Sequence, residues 1–539
     1  MSTTRSTLLV VAGLFLLSCG TVYGQGLKGE YFPNMSLTGQ PTLTRTENVG
    51  FNWGGSSPGQ PIAADLFSVR WTGSLTPPES GEYRFGTRTD DGVRLWVGGD
   101  QIINNWSDHG ATWNRSTPIY LEAGEPVGIR LEFYENGGDA VMELYWSGPG
   151  IDEQIIPASF LSPTVVASVK ARKPNPANGA LSVLAPLLEW TAGDGAVFHN
   201  VYLGAGPNLT EADLVAARQY FTLYYHVPGL TPGVTYYWRV DEIEKDGVTI
   251  HPGNVWSFTM QAITAYYPSP ADKAPDASVA PMLTWLPGAG AVKHQIYFGS
   301  SLEAVKQGAA GTNKGTHAAA DVNFAPGALD SMSTYYWRVD EILLDGAVKA
   351  GPVWSFTTCL PVDDFESYTD DLAAKTTIFD TWIDGLTDGL SGSVVGNDPA
   401  PFAEQGIVHG GIQSMPLDYN NVNSPFFSET VREFTSAQDW TVSGANTLVL
   451  SIRGRIGNAL VPLYVAIEDT AKHIGVVVHP NTAITAAGKW VQWRIPLSDF
   501  AGVNPAKVKK MYIGLGDKSK PVKGGAGRIY IDDIGVIKP

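Results

Sequence analysis

The stretch RFGTRTDDGVRLWVGG, Arg84 to Gly99, decides the fold class. On both sides of Asp90-Asp91-Gly92 apolar and polar residues alternate with a period of two, which reads as two half-buried strands joined by a turn. The composition carries the same message along the rest of the chain: 60 Gly and 36 Pro, with 11% aromatic and only 17% charged residues, suit many strands linked by turns. The 539 residues are therefore expected to form an all-β, multidomain chain of β-sandwiches. A formal charge of -17, without a Lys/Arg cluster, argues against a phosphate-backbone partner, so no nucleic acid is expected. Calcium or neutral glycans suit such a surface better.

The N-terminus, MSTTRSTLLVVAGLFLLSCGTVYGQG, has an early Arg, an apolar run from Leu8 to Leu17 and then small residues. That is the layout of a secretory signal peptide over residues 1–24, too short for a permanent transmembrane span. Cleavage after Gly24 would release the protein, whereas cleavage before Cys19 in LLSC would leave a lipid anchor on that cysteine. Either way the expected location is secreted or cell envelope. Cys359 is the only other cysteine, so no disulfide framework supports the domains.

The middle of the chain repeats itself. TYYWRVDEI occurs at Thr235–Ile243 and again at Thr334–Ile342, each followed by VWSFT, at Val255 and Val353. Upstream, the strands ending at Trp190 and Trp285 correspond, as do VYLG from Val201 and IYFG from Ile296. Two tandem copies of one domain, 168–261 and 262–359, follow. Tyr236, Trp238 and Val240, and likewise Tyr335, Trp337 and Val339, share one face of a strand, which period two turns inward. An early-strand Trp and a late Tyr-x-x-x-Val resemble fibronectin type III modules, which implies spacers rather than chemistry.

Ahead of the repeats, residues 25–163 contain GLKGEYF, FSVRWTGSLTPPESGEYRF, the Asp-Asp turn, NNWSDHG, EFYENGGDAVMELYW and IPASFL in that order. This segment resembles the protective antigen (PA-fourteen) domain, a lectin-like β-sandwich of adhesins, toxins and glycosidases. Adjacent carboxylates on a strand point to opposite faces and cannot meet at one ion unless the backbone leaves strand geometry. The resemblance implies how it does so: Asp90 and Asp91 form a cis peptide that holds calcium, and the ion in turn bridges to sugar hydroxyls. Calcium takes six to eight oxygens, so a second loop must contribute, and ENGGDA offers Asn136 and Asp139. Trp106 is the candidate for contact with sugar, and His109 is a weaker one. The same residues also fit an ordinary Asp-Asp-Gly turn.

Residues 360–539 open with PVDDFESYTDD and close with GRIYIDDIGVI. They resemble galactose-binding-like jelly-roll carbohydrate-binding modules, in which the chain ends meet at a structural calcium. The resemblance implies Asp364, Glu366, Asp532 and Asp533 for that ion. Sugar platforms need open ring faces; Trp382 and Tyr419 are the nominated ligand residues, with Trp440, Trp490 and Trp493 as further candidates. Trp490 and Trp493 lie three apart and so face opposite sides, making at least one of them core.

The expected function is calcium-dependent, adhesin-like carbohydrate binding to extracellular or cell-wall polysaccharide or glycoprotein glycans, without catalysis. Two alternatives stand beside it. One is a polysaccharide lyase using His409, Gln413 and Tyr419. The other is a scaffold that binds proteins and is indifferent to chelator and free sugar.

Overall fold

A computed structural model describes residues 26–538. The signal-peptide stretch and Cys19 lie outside the described residues. The chain divides into two compact units, one running to Trp146 and including Gln154–Ala167, the other comprising Ser147–Glu153 and the chain from Ser168 onward.

The fold is all-β, and among the described residues the longest α-helix is the six-residue Leu302–Gln307. No helix among them is long and apolar enough to cross a membrane. The first unit is a two-sheet sandwich. Its strands are β1 (Leu27–Phe32), β2 (Leu43–Glu47), β3 (Gly50–Gly54), β4 (Phe67–Leu75), β5 (Gly81–Asp90), β6 (Val93–Val97), β7 (Asp100–Asn105), β8 (Thr112–Arg115), β9 (Ile119–Leu121), β10 (Val127–Glu135) and β11 (Ala140–Gly148). One sheet runs β2-β1-β4-β10-β6-β7; in the other β11, β5 and β8 lie side by side, with β3 also paired to β11. The alternation read from the sequence fixes the faces. Tyr83, Phe85, Thr87 and Thr89 of β5 are buried, as are Val93, Leu95 and Val97 of β6, so the two strands close over one core. They do not pair with each other: β5 belongs to one sheet and β6 to the other. The Asp-Asp turn therefore crosses the sandwich rather than closing a hairpin.

In the second unit the two repeats have the same sheets in the same order, three strands facing six. Trp238 and Val240, and Trp337 and Val339, are fully buried, with Tyr236 and Tyr335 half-buried against the same cores. Trp238 stacks at a tilt on Trp256 at 4.7 Å, and Trp337 on Trp354 at 4.6 Å. Each core also holds a buried His–Glu pair, His199–Glu242 and His294–Glu341.

The C-terminal segment packs a six-stranded sheet against a five-stranded one. Its last strand, Ala526–Ile537, is central and pairs with the first, Leu360–Asp363, so the chain ends do meet. Four of the proposed platform residues are corrected here: Trp382, Tyr419, Trp440 and Trp493 are 0%, 1%, 1% and 7% exposed and belong to the core. Filling the space between the sheets uses up the ring faces that stacking on sugar would need. Trp490 is half-buried, with its ring edge-on to His409 at 5.6 Å.

Candidate functional site

Two connections cross the first sandwich at one end: β5 to β6 through Asp91 and Gly92, and β10 to β11 through Asn136–Asp139. Because both cross between the same two sheets, the ends of β5 and β10 are brought together. Gly92 is needed where they touch. A Cβ there would lie 2.2 Å from the Tyr134 ring, while its carbonyl accepts the Tyr134 N–H at 3.0 Å.

The Asp90–Asp91 peptide is cis. Asp91, 5% exposed, is held from both sides: Oδ1 accepts the His109 N–H at 2.8 Å and Oδ2 the Asn136 N–H at 2.9 Å. Asp90 is raised from the usual carboxylate range by burial and by Asp91, with His109 and the Ala111 amide working the other way. The third carboxylate is Glu135, the last residue of β10. It is fully buried, and neither oxygen makes a hydrogen bond of ordinary geometry. Burial first, then Asp91, Asp90 and Asp65, push it up to about 8. Ligand oxygens of Asp90, Asp91 and Glu135 all lie within 4.8 Å of one another, and no other such group of three or more occurs among the described residues. A carboxylate buried beside two others is costly to ionise.

The remaining candidates surround this trio in different roles. The Asn136 side-chain amide donates to Asp108 Oδ2 at 2.9 Å, and the Tyr134 hydroxyl donates to Asp108 Oδ1 at 2.7 Å. Asp108 is thus a brace that the sequence reading did not single out. Asp139 is exposed on the β10–β11 loop and stands outside the trio. Trp106 is half-buried between Tyr134, edge-on at 4.7 Å, and the Arg94 guanidinium, 3.9 Å from its ring centre. Glu135 was missed, although a signal was available. Leu131, Phe133 and Glu135 share one face of β10 by period two, so a carboxylate ends an apolar stripe.

At the C-terminal segment Glu366, Asp532 and Asp533 gather around the loop Ile407–Ser414, and backbone amides of the loop bond the first two. Glu366 accepts the N–H groups of Ile412 and Gln413, each at 3.0 Å, and Asp532 those of His409 and Gly410, at 2.8 and 3.2 Å. Asp364 accepts the Glu366 N–H, and Asp533 pairs with the His409 ring at 2.6 Å. Burial and then Asp533 push Asp532 up to about 7. These contacts tie the loop to the last strand of the segment and to the turn after the first. Nor are the lyase candidates brought together. The Tyr419 hydroxyl donates to the Ala459 carbonyl at 2.6 Å inside the core, the Gln413 amide donates to the carbonyls of Glu366 and Tyr368, and His409 is committed to Asp533.

The curated relatives match about a quarter of the chain. The anti-sigma-I factor RsgI3 of Acetivibrio thermocellus is 43% identical over 141 residues, 26% of this chain and 22% of that protein. The protective antigen of Bacillus anthracis is 28% identical over 145 residues, 25% of this chain and 18% of that one. The chain thus spans less than a quarter of the length of these curated relatives. Among solved structures, a PA14 sugar-binding domain from an RTX adhesin aligns with 26% of this chain and 98% of its own, at 19% identity and a TM-score of 0.23. An anti-sigma factor domain-containing protein aligns over 95% and 97% of the two chains, at 15% identity and a TM-score of 0.25. The PA14 domain family model matches residues 24–159, and the N-terminal sandwich of this chain is a PA14 domain.

Proposed function

We propose that this is a secreted or envelope-attached carbohydrate-binding protein whose PA14 domain holds calcium on Asp90, Asp91 and Glu135 and uses that ion to bind glycans. The observation that carries the reading is the fully buried carboxylate of Glu135, without a hydrogen bond of ordinary geometry, beside the Asp90–Asp91 pair at a sandwich rim. Three hard oxygen donors suit calcium rather than a soft metal. When bound, the ion supplies positive charge and coordination positions for vicinal sugar hydroxyls. The protein's part is to orient the carboxylates, which the His109 and Asn136 amides do for Asp91. An acidic chain with a charge of -17 suits neutral glycans better than nucleic acid. The rest of the chain serves as spacer and as a second sandwich.

The test is a glycan array probed with the full chain in calcium and again in chelator. Binding that chelator abolishes supports the reading. Glycan binding unchanged by chelator removes the ion from it, and capture of proteins but no glycans favours the scaffold alternative.

A further inference from the structure

The outer face of the β11-β5-β8 sheet carries an aromatic surface beside the carboxylate trio. Along β5, Thr87 and Thr89 turn inward and are fully buried, so Arg88 and Asp90 share the outward face. In register, Arg88 lies opposite Trp113 of β8, and the Asp90 carboxylate takes the amide of Ala111, just before β8 begins. Trp113 thus stands one strand over and two residues along from Asp90, a step of about 7 Å along the strand. That displacement suits the next ring of a glycan whose first ring sits at the ion.

Trp113 is 41% exposed, unusual for so large an apolar side chain in a sandwich. A lone exposed ring would mean little, but this one is fixed. Its centroid is 4.7 Å from that of Tyr145, tilted by 52°, and the Arg115 guanidinium is 5.0 Å from its centre. The Tyr145 hydroxyl donates to Glu143 at 3.1 Å, and Glu143 accepts from Arg88 at 3.3 Å. Gly86, opposite Arg115 on β5, contributes no side chain to the face between β8 and β11. A ring held in place before binding loses little conformational freedom when a sugar stacks on it, and the charged groups around it are suited to bond the sugar's hydroxyls.

Building on the glycan-binding reading above, we propose that Trp113, braced by Tyr145, forms a second sugar subsite. The ligand is then an oligosaccharide or polysaccharide chain laid along the outer face of the sheet, not a single terminal sugar.

The experiment measures calorimetric affinities of the full chain in calcium for methyl glycosides of glucose, galactose and mannose and for the matching di- and tetrasaccharides. Wild type is expected to prefer the longer ligand of its series by about tenfold, the scale of one stacking contact. Trp113→Ala should bring that ratio close to one, and Trp113→Phe should retain most of it. A second measurement needs no variant: N-bromosuccinimide oxidation of Trp113, read by mass spectrometry, should be slowed by the tetrasaccharide and not by the methyl glycoside. A length preference that survives Trp113→Ala, or equal oxidation with both ligands, overturns the subsite while leaving ion-dependent binding standing. Failure of wild type to bind any of these sugars in calcium overturns both.

Discussion

Oδ2 of Asp91 accepts the Asn136 amide at 2.9 Å, tying the turn after β5 to the loop after β10. With Oδ1 held by His109 as well, the carboxylate is oriented before any ion arrives. Asp91→Asn retains the size but replaces one acceptor by a donor facing an amide N–H. Calcium affinity measured by calorimetry on the full chain should fall at least tenfold, and glycan affinity in limiting calcium should fall with it. Unchanged calcium uptake would leave the two aspartates as a turn only.

Glu135→Gln should change stability in opposite directions with and without the ion. In chelator at pH 8.5 the variant should melt a few degrees higher, because it removes a buried carboxylate that Asp90 and Asp91 repel. In millimolar calcium wild type should gain stability and the variant little, since a ligand stabilises only the state that binds it. Asp139→Asn, outside the trio, should resemble wild type in both buffers. Identical melting of wild type with and without calcium would count against the site.

Asp532 sets a pH dependence in the C-terminal segment. Its carboxyl ionises near 4 when unfolded, whereas burial and Asp533 raise it to about 7 in the fold. Between those values the folded chain holds a proton that the unfolded chain has released. The stabilisation is therefore complete below about pH 4 and lost as pH climbs to 7. His409, raised chiefly by its bond to Asp533, adds a loss of the same sign above its unfolded value. Thermal melts of Asp532→Asn from pH 4.5 to 7.5 should show a shallower fall than wild type. Parallel slopes would refute the assignment.

Both ring nitrogens of His294 face acceptors, Nδ1 the Glu341 carboxylate at 2.5 Å and Nε2 the Ala319 carbonyl at 3.1 Å. With both side chains of the pair 0% exposed, replacing Glu341 alone by Leu should cost about 3 to 5 kcal/mol, because it leaves the buried His294 ring and the Gly288 N–H without their acceptor. The double change with His294→Leu should cost much less. Denaturant melts of the two single variants and the double measure the difference, and additive losses would mean the pair is not coupled.

The sequence by itself determined the strands, the tandem repeats and the position of the Asp90–Asp91 pair, because period-two alternation and internal repetition are local properties of a chain. It also showed that Trp490 and Trp493 face opposite sides. Only the tertiary structure decided which faces are covered. Period two separates the two sides of a strand without naming the side that meets a second sheet, so Trp382 and Tyr419 read as available platforms, yet both are core. Convergence was likewise beyond local reading: Glu135 meets Asp90 and Asp91 because two crossovers share one end of a sandwich. At the other end of the chain, the Glu366 and Asp532 carboxylates bond amides of the Ile407–Ser414 loop, a contact that depends on which loop packs against them and so is not legible in local sequence.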